Sequence, residues 1–245
     1  NVGNVPIGGN SKIVVQSMTD TDTSDINKTV NQIEELYNAG SEIVRVTVNN
    51  VESAKAISKI KPILSDKGIN VPIIGDFHFI GHKILRTVPE CAENLDKYRI
   101  NPGNLGSGNR KDDNFKTFID IAKDLDKPVR IGVNAGSLDQ ELLDLKMEEN
   151  NRLRVPKSAE EVESDALISS AIISYQKAID YGLSKNNIII SCKVSRLNQM
   201  VHCYREISKQ CSSTAMCYKM HLESMEAITL IPSPYQLEKF VKPLG

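Results

Sequence analysis

A chain of 245 residues can bury the core of one α/β barrel or of two ordinary domains. Its formal charge of -1 and pI near 6.5 give no basic field for nucleic acid or an anionic membrane, so an anion site would have to be built locally. No run approaches the roughly 18 apolar residues of a membrane span, and the first residues lack the pattern of a signal peptide. Five scattered cysteines (Cys91, Cys192, Cys203, Cys211 and Cys217) contain no Cys-x-x-Cys pair, so neither a disulfide framework nor a zinc site is indicated. A soluble chain in a reducing compartment is the expectation, and Asn1 enters mid-pattern, as if a few residues preceded it.

In chain order, Lys12 to Ser17 reads as a β-branched strand, and a hydroxyl-rich and carboxylate-rich loop follows it. Ser24 or Asp25 then caps a helix whose Ile26, Val30, Ile33 and Leu36 recur at helical spacing before Gly40. The unit repeats. Glu42 to Val48 and Val51 to Ser65 form the second strand and helix, with Pro62 a kink or early stop. Val71 to Gly75 is the third strand, and the helix over Ile84 to Leu95 is interrupted at Pro89. Two similar segments come next, Tyr98-Arg99-Ile100-Asn101-Pro102-Gly103-Asn104 and Arg130-Ile131-Gly132-Val133-Asn134-Ala135-Gly136-Ser137. Each is a short strand carrying one arginine and breaking into an Asn-containing and Gly-containing turn. Residues 138–157 read as a long charged loop, Ser158 to Gly182 as a capped helix, and Asn187 to Cys192 as a sixth strand ending in Lys193. Leu197 to Ile207 is its helix. Beyond Cys211, Met216 to Leu222 and Ala227 to Ile231 are candidate strands, but Pro232, Pro234 and Pro243 leave little room for a closing helix.

Strands spaced about 30 residues apart, with no Gly-x-Gly-x-x-Gly after the first, predict a TIM-type (βα)8 barrel, incompletely closed at its C-terminal end. Residues 1–210 would be the barrel and 211–245 a divergent tail. In such barrels the site lies at the C-terminal ends of the strands. Out-of-place polar residues fall there: Arg45, Asp76, Arg99, Asn101, Arg130, Asn134 and Lys193. An unpaired buried arginine is costly, so one arginine in a strand is as readily an ion-paired structural residue as a ligand group. Three on three strands, joined by a lysine on a fourth, point instead to a pocket for more than one phosphate. His78 and His82 have metal spacing at i, i+4, but Gly81 between them argues against a helix and favours surface or supporting roles. Read by spacing alone, His202 and His221 are ordinary residues. Asp20 and Asp22 read as a hydrated loop, and Cys91, Cys192 and Cys203 as core thiols.

Val2-Gly3-Asn4-Val5-Pro6-Ile7-Gly8-Gly9, Ile13-Val14-Val15-Gln16-Ser17-Met18-Thr19, Gly75-Asp76-Phe77-His78-Phe79 and the two arginine segments together resemble the N-terminal barrel of 4-hydroxy-3-methylbut-2-enyl diphosphate synthase. The likeness extends over roughly residues 2 to 210. It implies an oxidoreductase of the non-mevalonate isoprenoid pathway, carrying out reductive ring opening and dehydration of 2-C-methyl-D-erythritol 2,4-cyclodiphosphate. It also implies a [4Fe-4S] cluster fed by flavodoxin or ferredoxin, a homodimer, and a bacterial cytoplasm or plastid-type organelle. The seven polar residues named above are the positions that match the family's diphosphate-binding residues.

The family's cluster ligands, three cysteines and a glutamate, lie in a C-terminal domain that this sequence does not contain. His221-Leu222-Glu223 is a partial match to the motif of the next strand, with Glu223 at the place of its glutamate. Without the cluster the isolated chain is expected not to turn over substrate. The alternatives are a non-catalytic remnant or diphosphate-binding module, and, more distantly, another phosphate-binding barrel resembling dihydropteroate synthase.

Overall fold

Strand and helix alternate from the first β-branched run onward, in the order β1 (Val14–Met18), α1 (Ile26–Asn38), β2 (Ile43–Val48), α2 (Val51–Asp66) and β3 (Ile73–Phe77). Two short helices, α3 (Gly81–Thr87) and α4 (Pro89–Asn94), lead to β4 (Lys97–Ile100), α5 (Gly108–Asp124) and β5 (Val129–Asn134). The chain continues through α6 (Gln140–Asn151), α7 (Ala159–Asp180), β6 (Ile188–Lys193), α8 (Leu197–Gln210), β7 (Ala215–Lys219) and β8 (Ile228–Ile231). The computed structural model describes residues 1–8, 11–106, 108–211, 215–219 and 228–231. Glu223, with His221 and Leu222, lies outside these residues, as do the three C-terminal prolines.

Strands β1 to β7 pair in parallel with their sequence neighbours. β8 is antiparallel to both β7 and β1 and completes the ring. The fold is therefore the expected TIM-type α/β barrel, and its C-terminal end is where the (βα) repeat is given up. An apolar strand pattern fixes that a segment can join a sheet but not the direction in which it enters.

Helix starts follow local chemistry. Asp25 accepts from Lys28 N, Asn50 accepts from Ser53 N, and Ser158 forms a reciprocal capping box with Glu161. Pro62 does not stop α2, which continues to Asp66 because Ile57, Ile60 and Leu64 pin it to the core on both sides of the proline. Part of the expected 138–157 loop is helical, since Asp139 accepts from Glu141 N and starts α6. The apolar spacing there is loose because α6 leaves Leu145 and Met147 exposed.

Two cores flank the sheet. Outside it, under the helices, Phe77, Tyr98 and Phe118 meet edge to face with ring centroids 5.6 to 5.9 Å apart. Inside it, Val14, Ile43, Ile74 and Ile189 form a small apolar layer with Val2, and the Val2–Val5 bridge lies against it at the N-terminal end. Two residues further along the same four strands stand Gln16, Arg45, Asp76 and Ser191, all buried. Side chains alternate faces along a strand, so these point to the same interior one layer higher. The barrel interior thus changes from apolar to charged over one repeat of the pleat.

Candidate functional site

The charged layer opens into a cavity of about 330 Å³, lined at its mouth by Arg45, Asp76, Arg99, Asn101, Arg130, Asn134 and Lys193. All seven predicted site residues come together. Met18, His78, Asn104, Gly132, Val133, Ser137 and Ser191 complete the wall.

Register explains the convergence. Met18 faces Arg45, Asp76 faces Arg99, Arg99 faces Arg130, and Asn134 faces Lys193 across neighbouring strands. One carboxylate serves two guanidinium groups. Arg99 Nη1 donates to Asp76 Oδ1 at 3.0 Å, and Arg45 Nε lies 3.5 Å from Asp76 Oδ2. Arg45 also lies against Met18 Sδ, 2.8 Å from its Nη2. Burial would push the Asp76 carboxyl up, but the charges of Arg99 and Arg45, with a smaller effect from His78, hold it below the usual carboxylate range. Asp76 is therefore ionised at neutral pH, and its two oxygens are engaged by the arginines beside it.

Arg130 is held differently. Its Nε donates to Ser191 Oγ at 2.9 Å. Arg130 Nη1 and Arg99 Nε are both buried and meet no acceptor among the described residues. Lys193, at the end of β6, makes no ion pair among the described residues. Four cations and one carboxylate share this mouth on a chain that is near neutral overall, so the field here is positive by construction.

The two arginine segments build matching rims. Asn101 Oδ1 accepts from Gly103 N, and Asn134 Oδ1 accepts from Gly136 N, so each asparagine closes a short 3-10 turn just beyond its strand. Asn101 Nδ2 donates to Ser137 Oγ at 2.7 Å and ties the two turns together. The approach is close. A Cβ on Gly103 would stand 2.1 Å from the Ser137 carbonyl oxygen, so only glycine fits there.

Polar interior residues beneath the pocket were not singled out by sequence. Lys97 is fully buried in β4 and donates to Gln16 Oε1 at 3.3 Å, and it makes further interactions. The available signal was its position two residues before Arg99, hence on the same inner face. His78 lines the pocket, whereas His82 is buried in α3, and burial with Lys83 and Arg86 nearby lowers its pKa. Among the described residues no three His, Cys, Asp or Glu side chains come together as a metal cage.

A family model described as the GcpE TIM-barrel domain matches residues 1–233. The chain belongs to the GcpE family. Membership places this barrel among the oxidoreductases of isoprenoid biosynthesis, the group that 4-hydroxy-3-methylbut-2-enyl diphosphate synthase represents. Similar solved folds include a Xanthomonas albilineans dihydropteroate synthase with 4-aminobenzoic acid, at TM-score 0.50 and 12% identity, covering 84% of this chain and 69% of that one. A Coxiella burnetii dihydropteroate synthase in complex with pteroic acid is also similar, at TM-score 0.45 and 13% identity, covering 85% of this chain and 72% of that one. At 12% identity the likeness to the Xanthomonas albilineans enzyme shows the barrel fold alone.

The described cysteines of this GcpE barrel do not suit the family's iron–sulfur cluster. Cys91, Cys192, Cys203 and Cys211 are all buried. Burial pushes the Cys91 thiol up to about 12 and the Cys203 thiol to about 11, and it raises Cys192 and Cys211 as well. Cluster ligation needs several thiolates gathered around one point, and among the described residues no three such side chains come together. Among the described residues no helix is long and apolar enough to cross a membrane.

Proposed function

We propose that the mouth of the barrel binds the diphosphate of 2-C-methyl-D-erythritol 2,4-cyclodiphosphate. On this reading the chain is the substrate-holding barrel of a 4-hydroxy-3-methylbut-2-enyl diphosphate synthase. One observation carries the reading: four cationic side chains from four strands surround a single cavity, and their only described carboxylate is shared by two of them. A cyclic diphosphate brings two negative phosphoryl groups with several acceptor oxygens, which matches the unsatisfied donors of Arg99 and Arg130.

The assigned roles follow from position. Arg99, Arg130 and Lys193 neutralise and grip the phosphoryl oxygens, while Asp76 holds Arg45 and Arg99 at fixed places. Asn101 and Asn134 use their carbonyl oxygens on their own turns, which leaves Asn134 Nδ2 to orient the ligand. This is a binding and positioning contribution, in which fixed donors meet the ligand without reorganising. The two electrons for ring opening are proposed to come from the family's iron–sulfur cluster, with flavodoxin or ferredoxin as the donor.

Calorimetry with the cyclodiphosphate tests the reading directly. Saturable binding at about one ligand per chain, lost in Arg99→Ala, is the expected result. No heat of binding from the folded chain would overturn it. A non-catalytic diphosphate-binding module shares the same pocket, and the absence of cluster-competent thiols among the described residues favours that behaviour for the isolated chain. Product formation after reconstitution with iron, sulfide and a reductant would argue against it.

A further inference from the structure

Between the two clamp arginines the chain places its least bulky residue. Gly132 sits on β5 two residues beyond Arg130 and therefore on the same inner face, and it pairs in register with Ser191 of β6. A Cβ built on Gly132 would lie 3.1 Å from Arg99 Nε, 3.4 Å from Arg99 Nη2 and 3.1 Å from Ser191 Oγ. The Arg99 guanidinium thus lies across the bare backbone of β5. The Ser191 hydroxyl, which accepts from Arg130 Nε, occupies the other side of the same gap. Backbone strain does not explain this glycine, because its φ is not positive. What it contributes is space.

We infer that Gly132 and Ser191 are positioning residues that set the separation of the Arg99 and Arg130 guanidinium groups, and that this separation makes the site selective for two linked phosphoryl groups over one. The inference rests on the diphosphate reading given above. Neither residue needs to touch the ligand. Gly132 lets Arg99 reach sideways over β5, and Ser191 turns Arg130 by holding Nε, which leaves Nη1 as its buried donor without a described acceptor. A single phosphate can satisfy one guanidinium fork in almost any placement. Two tethered phosphates gain from the second fork only when the spacing is right, as with any two-point attachment.

The test compares inorganic pyrophosphate with orthophosphate by calorimetry, using the full 245-residue chain and the variants Gly132→Ala, Ser191→Ala and Ser191→Thr. In the unaltered chain pyrophosphate should bind on the order of 100-fold more tightly than orthophosphate. Gly132→Ala and Ser191→Ala should each cut the pyrophosphate affinity by about tenfold while changing orthophosphate affinity by less than about threefold, so the preference collapses. Ser191→Thr keeps the hydroxyl and should keep most of the preference. A merely structural role would alter melting without moving that ratio. If Gly132→Ala does not fold, the Ser191 pair decides the matter. Unchanged preference in Ser191→Ala, with the unaltered chain binding pyrophosphate, overturns the positioning role and leaves the diphosphate reading in place. No pyrophosphate binding by the unaltered chain overturns both.

Discussion

Arg99 and Asp76 stand directly opposite one another on β4 and β3 and are joined by a 3.0 Å hydrogen bond from Nη1 to Oδ1. The second Asp76 oxygen faces Arg45, so removing this carboxylate leaves two largely buried guanidinium groups without their shared counter-charge. Asp76→Asn should therefore lower the stability of the ligand-free chain by about 3 kcal/mol. An added anion restores the missing charge. The rise in melting temperature on adding pyrophosphate should accordingly be larger in Asp76→Asn than in the unaltered chain, and thermal melts with and without pyrophosphate check this. A smaller rise would mean that Asp76 is not the resident substitute for the ligand.

The same pair sets a pH dependence. The folded Asp76 carboxyl titrates below its ordinary value of 3.8, so its contribution is fully present above that value. It is lost as the pH falls through the lower, folded value. The stability difference between the unaltered chain and Asp76→Asn, from urea unfolding, should be flat from about pH 5 to 8 and shrink only below about pH 4. A difference that instead grows as the pH falls from 7 to 5 would show that Asp76 takes up a proton in the folded chain in that range and is not held ionised.

Lys193 differs from Arg45 and Arg99 in having no ion pair among the described residues, and unlike Arg130 it is only partly buried, at the rim. Its charge is more available to a ligand than to the fold. Lys193→Met retains the apolar stem and should weaken pyrophosphate binding by about tenfold while shifting the unfolding midpoint little. The loss should be smaller at high salt, because a partly exposed charge is screened. Calorimetry at low and high salt would expose a purely structural lysine, for which stability and not affinity would change.

How legible this site was depends on which kind of residue is asked about. Arg45, Arg99, Arg130 and Lys193 stood out because a cation in an apolar strand is chemically out of place, and parallel βα repeats bring all such strand ends to one rim. Gly132 and Ser191 did not stand out, since a small residue in a strand carries no charge and its role exists only through what lies across it. Lys97 was hidden for a different reason. It opens β4, where a lysine reads as a solvated boundary, and only the inward pleat puts it under the pocket. α6 was missed because its apolar spacing is loose, and the direction of β8 was missed because strand propensity has no polarity.

The cysteines give a prediction about chemistry away from the pocket. Cys91, Cys192, Cys203 and Cys211 are buried, and burial raises each thiol, so at pH 8 almost none of them is present as the reactive thiolate. In a Cys217→Ser chain, a thiol-specific chromogenic disulfide at pH 8 should react with the remaining four only at the rate at which the fold opens, and at once in denaturant. Pyrophosphate, by stabilising the folded state, should slow the native reaction further. One equivalent of rapid reaction in the native chain would place a thiolate at an accessible site and reopen the case for cluster ligation within the barrel. The absence of any fast phase would support placing the redox chemistry elsewhere.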